Sequence, residues 1–230
     1  MKISMKKRKI GYTYGSVSGH FSFRKQKSIA FESTLERDLL TLLEFNDSVQ
    51  DIIEQPITIV YINKNGKQVT YTPDFLVYFN ESNVSHLELE RKPFLIEVKP
   101  RSKLLKDWNI LKPKFKIAMR YAKENDMIFK IYDESRIRTQ YLKNILFLKR
   151  YHRLEYDLSR EDEILSFVHS MGIITIEHTL EYLTSNKESR GLILSHIWHL
   201  LSHKKLLCLM KDNLTIQTNI WINENIVFHR

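Results

Sequence analysis

Two short stretches constrain the fold more than any others: "YTPDFLVYF" at 71–79 and "FLIEVKP" at 94–100. Both are runs of Phe, Leu, Ile, Val and Tyr bounded by proline, the composition of buried strands. The chain is therefore expected to fold around a sheet. Each stretch also carries charge at one end: Asp74 in the first, Glu97 and Lys99 in the second. The segment between them is short for a helical crossover, so an antiparallel pairing is expected. Such a pairing sets the start of one strand beside the end of the other, which brings Asp74 next to Glu97. Glu97 and Lys99 are two residues apart, so they share a face about 6.6 Å apart along the strand. Phe94, Ile96 and Val98 alternate against them.

Two carboxylates and an ammonium are thus predicted at one end of a sheet. Neighbouring carboxylates repel, and both stay ionised only with a cation between them. Oxygen donors suit Mg²⁺ or Mn²⁺. Such an ion polarises a phosphate and lowers the pKa of a bound water. Lys99 would orient that water or neutralise charge on the phosphate. These are the requirements of phosphodiester hydrolysis.

Around this pair the sequence reads as α/β. "STLERDLLTLLEFN" (33–46) has Leu35, Leu39, Leu42 and Leu43 at helical spacing. Ser33-Thr34-Leu35-Glu36 is a capping box, so Glu36 suits either a helix cap or a site carboxylate. Glu32 is a nearby competitor, and Gln55 reaches the site or holds the backbone. "ITIVYI" (57–62) and "QVTYT" (68–72) flank Asn65-Gly66, a hairpin signal. "KLLKDWNILKPKFKIAMRYAKEN" (103–125) reads as a helix with a break expected at Pro113. "MIFKIYD" (127–133) is a further strand, and 138–151 a further helix.

Past residue 155 the pattern changes to three short helices, the first ending at Gly172 and the second starting after Thr175, and then a hairpin. That is the order of a winged-helix domain. His196, His199 and His203 form one stripe on the third helix. Zinc ligation is conceivable there, but no Cys or acid joins at ligand spacing, and a polar face toward DNA or a partner is the preferred reading. Two domains are expected, 1–155 and 156–230.

The 230 residues carry a formal net charge of +9, which favours an acidic partner, nucleic acid first. Residues 1–30 hold Lys2, Lys6, Lys7, Arg8, Lys9, Arg24, Lys25 and Lys27 and no acid, interleaved with Tyr12, Tyr14, His20, Phe21 and Phe23. A basic arm of this kind contacts phosphates and stacks on bases. Lys103, Lys106, Lys112, Lys114 and Lys116 follow the charged strand and suit phosphate contact. The single cysteine, Cys208, excludes an internal disulfide framework. No apolar run is long enough for a spanning helix and no signal peptide is evident, so a cytoplasmic protein with no membrane partner is expected. The chain has no Gly-rich phosphate loop and no Ser-His-Asp or Cys-His arrangement.

"PD…EVK" resembles the PD-(D/E)xK nuclease superfamily. Its surroundings resemble the TnsA family, the endonuclease subunits of heteromeric bacterial transposases. The family order is a helix with a Glu, an "I-x-E-Q" segment, a "T-x-DFLV" strand, a "V-K-P" strand and a basic helix. This chain shows Glu36, then Ile52-Ile53-Glu54-Gln55-Pro56, Thr72-Pro73-Asp74-Phe75-Leu76-Val77 and Glu97-Val98-Lys99-Pro100. Some members carry Gln where this chain has Glu97. The resemblance implies a restriction-endonuclease-like mixed sheet with flanking helices and a C-terminal winged-helix domain. It implies Glu36, Asp74, Glu97 and Lys99 as catalytic residues. It also implies one or two Mg²⁺ or Mn²⁺ ions on Glu36, Asp74, Glu97 and the Val98 backbone carbonyl. The implied role is cutting at the element's 5′ ends, with a DDE transposase (TnsB) cutting the 3′ ends and an ATPase regulator (TnsC) as further partner. A repair, restriction or junction-resolving nuclease on the same core is the alternative, and a non-catalytic DNA-binding scaffold the third.

Overall fold

The computed structural model describes residues 3–4, 17–63, 65–80, 92–153, 155–184 and 187–225. The chain divides into two compact units, 1–138 and 139–230. The first contains β1 (Ile3–Ser4), β2 (Gly19–Phe23), β3 (Lys27–Phe31), α1 (Thr34–Phe45), β4 (Val49–Glu54), β5 (Thr58–Ile62), β6 (Gln68–Tyr71), β7 (Phe75–Phe79), β8 (Phe94–Val98), α2 (Arg101–Lys106), α3 (Trp108–Glu124), β9 (Ile128–Tyr132) and α4 (Glu134–Ile137). The main sheet is mixed, in the order β4-β7-β8-β9. β4 and β8 flank β7 antiparallel, and β9 joins β8 in parallel.

Central strand β8 is covered on both faces, with Leu95, Ile96, Glu97 and Val98 all buried. Leu76 pairs with Leu95 and Phe75 with Ile96. On the Leu76–Leu95 face lies an apolar cluster with Ile59, Tyr71, Leu111, Phe115, Ala118, Tyr121 and Ala122, which brings in α3 and the β5–β6 hairpin. That hairpin pairs as the Asn65-Gly66 signal predicts, Ile59 opposite Tyr71, and β1 adds to its β5 edge.

Two features of the first unit differ from the sequence reading. The helix after β8 breaks at Asp107, which caps both α2 and α3, while Pro113 sits inside α3. Proline there forfeits one helical hydrogen bond, and the apolar stripe Leu111, Phe115, Ala118, Tyr121 and Ala122 packs continuously across it. The second difference concerns the basic N-terminal segment. Residues 19–31 are an antiparallel hairpin, β2–β3, whose Phe21, Phe23, Ile29 and Phe31 are buried. Phe21 and Phe23 therefore fill the core and do not stack on bases.

The second unit holds α5 (Gln140–Leu148), α6 (Leu158–Met171), β10 (Ile174–Thr175), α7 (Ile176–Leu183), α8 (Lys187–Ser202), β11 (Leu206–Cys208) and β12 (Asn219–Ile222). Gly172, at φ 76°, ends α6, and the Thr175 hydroxyl caps α7. β10, β12 and β11 form an antiparallel sheet in that order. Leu148 of α5 shares one core with Ile164, Val168, Ile176, Leu180, Ile197, Trp198, Leu206 and Ile220. The Asn144 amide of α5 donates to the carbonyls of Met210 (3.0 Å) and Asp212 (2.6 Å). These contacts tie α5 to the second unit, so the units divide earlier in the chain than the change of pattern at residue 155. Among the described residues no helix is long and apolar enough to cross a membrane.

If Phe23 is a core residue, Phe23→Ala should destabilise the protein by about 3–5 kcal/mol in urea unfolding. Lys25→Ala, on the hairpin's exposed turn, should change stability by less than about 0.5 kcal/mol.

Candidate active site

β7 and β8 bring the charged residues together through their register. The Asp74 amide donates to the Ile96 carbonyl at 3.0 Å, one step beyond the Phe75–Ile96 pair. The Asp74 carboxylate crosses to β8 as well, its Oδ2 accepting from the Val98 amide at 2.7 Å. Asp74 shares side-chain parity with Leu76, and Glu97 and Lys99 share it with Leu95, so all three charges lie at one end of the α3-facing side. The Lys99 amide donates to the Tyr132 carbonyl at 3.0 Å, which extends the β8–β9 ladder through the site.

The Lys99 ammonium is the centre of the cluster. Its Nζ lies 2.7 Å from Glu97 Oε1, 3.6 Å from Asp74 Oδ2 and 3.2 Å from its neighbour Val98's carbonyl oxygen. Glu97 is 2% exposed, and its second oxygen, Oε2, accepts from the Tyr71 hydroxyl at 2.7 Å. Tyr71 is a site neighbour that the sequence reading missed. Its signal was a polar-tipped ring on the core side of β6, three residues before Asp74.

Glu36 reaches the site from α1. Ser33 Oγ accepts from the Glu36 amide at 3.1 Å and donates back to Glu36 Oε1 at 2.8 Å. Glu36 Oε2 accepts from the Glu32 amide at 2.8 Å. Gln55, with φ 44°, gives its backbone N–H to the Asp74 carbonyl at 2.8 Å and its amide to Glu32 Oε1 at 3.2 Å. It thus touches segments on both sides of the site.

Electrostatics follow from this crowding. Burial pushes the Asp74 carboxyl well above the usual carboxylate range, and the Glu97 and Glu36 charges add to it, against opposition from Lys99 and the Val98 amide. Burial also raises Glu36, opposed by its Glu32 and Ser33 hydrogen bonds and by Lys99. Burial works against the Lys99 ammonium, but Asp74 and Glu97 outweigh it and hold its pKa above the ordinary value. Lys99 therefore keeps its proton at neutral pH.

The donor set fits a hard divalent ion. Three oxygens, from Asp74, Glu97 and the Val98 carbonyl, already converge on one cationic atom, Lys99 Nζ. Among the described residues no group of three or more His, Cys, Asp or Glu side chains is placed to hold a metal. The third converging oxygen is a main-chain one, and Glu36's oxygens are bonded at the start of α1.

Lys103 and Lys106 are exposed on α2, which begins directly after Lys99-Pro100. Arg24 and Lys25 lie elsewhere. Arg24 bonds Glu44 through its amide and the Asn46 carbonyl through its guanidinium, at the far end of α1 from Glu36. Glu36 and Glu44 are eight positions apart along α1, about 12 Å. Lys6, Lys7, Arg8 and Lys9 lie outside the described residues. The histidine stripe of α8 is split: His196 is buried, His199 half-buried and His203 exposed. His196 is 3% exposed and packs on Tyr156. His199 contacts the Tyr151 carbonyl and Glu161, and His203 stacks on His152.

A raised Asp74 pKa has a definite sign in stability. The folded chain holds that proton to higher pH than the unfolded chain, whose aspartate titrates near about 3.9. Stability from protonated Asp74 is therefore lost as pH rises from the unfolded value through the folded one. In chelator, the stability of Asp74→Asn relative to wild type should rise across that window, with a slope of up to about 1.4 kcal/mol per pH unit. Thermal and urea unfolding across pH measure this; a flat difference would contradict the assignment.

Two family models match the chain. Residues 46–134, which contain Asp74, Glu97 and Lys99, match the model "TnsA-like endonuclease N terminal". Residues 136–210 match "TnsA endonuclease C terminal". No curated protein matches the chain. The two matches run in family order over most of the chain, and the protein belongs to the TnsA endonuclease family, the nucleases associated with transposases.

Proposed function

We propose that this chain is the metal-dependent DNA endonuclease subunit of a heteromeric transposase. It hydrolyses the phosphodiester at the 5′ ends of the mobile element during cut-and-paste transposition. A DDE transposase of the TnsB kind cuts the 3′ ends, and a TnsC-like ATPase is a further partner. Family membership supports the setting. The observation that carries the chemistry is the convergence of Asp74, Glu97 and the Val98 carbonyl on one cation.

In this reading Asp74, Glu97 and the Val98 carbonyl, with Glu36 from α1, would hold one or two Mg²⁺ or Mn²⁺ ions. When bound, the ion supplies a polarised phosphate and a water of lowered pKa. Lys99 stays protonated beside two carboxylates, so it acts as a cation and not as a base. It offsets charge developing on the phosphate. Lys103 and Lys106 continue the positive surface along α2 and position the DNA backbone. The second unit, with its helices followed by a hairpin, acts as a winged-helix-like module for DNA or a partner subunit.

Asp74→Ala should lower metal-dependent nicking by on the order of 10²–10³-fold or more while DNA binding persists. Nicking of element-end DNA with the partner subunits present, beside a gel-shift assay, measures both. Cleavage at the wild-type rate would remove Asp74 from the mechanism. Lys103→Ala with Lys106→Ala should flatten the dependence of log K on log salt by about 0.9 for each phosphate left unneutralised. An unchanged slope would take α2 away from the DNA.

A further inference from the structure

Glu97 has one partner on each oxygen: Lys99 on Oε1 and Tyr71 on Oε2. Tyr71 belongs to β6 in the three-stranded sheet, whereas Glu97 belongs to β8 in the four-stranded one, so this hydrogen bond joins two sheets. The Tyr71 ring is 7% exposed and packed among the Ile59, Leu95 and Phe115 side chains, which fixes where its hydroxyl points. A phenol beside a carboxylate donates one proton and holds one oxygen.

We propose that the Tyr71 hydroxyl is a positioning group that ties down Glu97 Oε2 and so leaves Oε1 as the one oxygen Glu97 presents to a metal ion. This rests on the reading of the Asp74–Glu97–Val98 cluster as the metal site. Oε1 is the oxygen that already faces the cationic centre shared with Asp74 and the Val98 carbonyl. A free carboxylate would swing or bind through both oxygens. Held by Tyr71, it is a one-oxygen ligand with a fixed direction, as partners behind a ligand hold it elsewhere. Tyr71 also lies three residues before Asp74, so one short segment supplies one carboxylate and orients the other.

The test is Mn²⁺ binding to the full chain, read by electron paramagnetic resonance of free Mn²⁺, which needs no partner subunit. Tyr71→Phe keeps the ring and removes the hydroxyl. It should weaken Mn²⁺ binding about 10–100-fold. In a Glu97→Ala background the same substitution should change binding by less than about twofold, because the carboxylate through which it acts is gone. Urea unfolding confirms that each variant is folded, and binding is read on the folded fraction. Unchanged binding in Tyr71→Phe, or an equal loss with and without Glu97, overturns the proposal. Asp74→Ala is measured in parallel. Should it bind Mn²⁺ as wild type does, the metal-site reading itself fails; should it lose Mn²⁺ while Tyr71→Phe does not, only the role of Tyr71 fails.

Discussion

The double tie of Asp74 to β8 is the interaction on which the first unit's charged cluster depends. One bond is backbone, from the Asp74 amide to Ile96, and one is side chain, from the Val98 amide to the carboxylate. Together they hold the carboxylate against the edge of a strand whose other neighbour, β9, is also paired. Because β8 is covered on both faces, Glu97 sits in surroundings far less polar than water. A carboxylate in such a place is costly unless it is paired and hydrogen-bonded. Lys99 and Tyr71 provide that pairing, one on each oxygen. The sheet thus accepts charge in its interior because register brings each charge its partners.

The same arrangement sets charge against burial. Asp74 is held by the Val98 amide and a longer contact to Lys99, and burial disfavours its ionised form. Glu36 faces a different compromise. Its oxygens complete the capping of α1, an interaction worth about 1 kcal/mol in typical helices. Holding a metal would draw on oxygens that now hold the helix. Glu36 is thereby coupled to the first turn of α1, and a change at Ser33 would be felt at the site.

How much of this was legible in the sequence depends on the range of the interaction. Strand parity placed Asp74, Glu97 and Lys99 on one face, and the short connection gave the antiparallel sense. Both rest on local geometry, and both agree with the register. The capping signal was equally local: Ser33 caps the Glu36 amide, while the Glu36 carboxylate bonds the Ser33 hydroxyl and the Glu32 amide. The β2–β3 hairpin was hidden because Arg24, Lys25 and Lys27 at its turn dominated the reading. The alternation Phe21, Phe23 and Ile29, Phe31 on either side carried the period-2 signal. Tyr71 was missed for another reason. Its partner is 26 residues away and in another sheet, and no periodicity within one strand reports a contact between sheets. The histidine stripe had the right spacing, but only His203 of the three is exposed. Spacing fixes a shared face, and only the packing of Tyr156 and Glu161 against that face decides whether it is wet.

Gln55 shows how the distant pieces are held in place. It is a non-glycine residue at φ 44°, a conformation that costs on the order of 1–3 kcal/mol and persists only where neighbours enforce it. Two contacts enforce it here: its N–H on the Asp74 carbonyl and its side-chain amide on Glu32. Glu32 in turn gives its own N–H to Glu36. A chain of hydrogen bonds therefore runs from the start of β7 through Gln55 and Glu32 to the start of α1. It links Asp74 with Glu36, two carboxylates on elements that share no strand pairing. The left-handed turn at Gln55 aims the backbone N–H at one segment and the side chain at the other. A strained residue at this position is what a site assembled from a sheet end and a helix start requires, since neither element alone fixes the distance between its carboxylates.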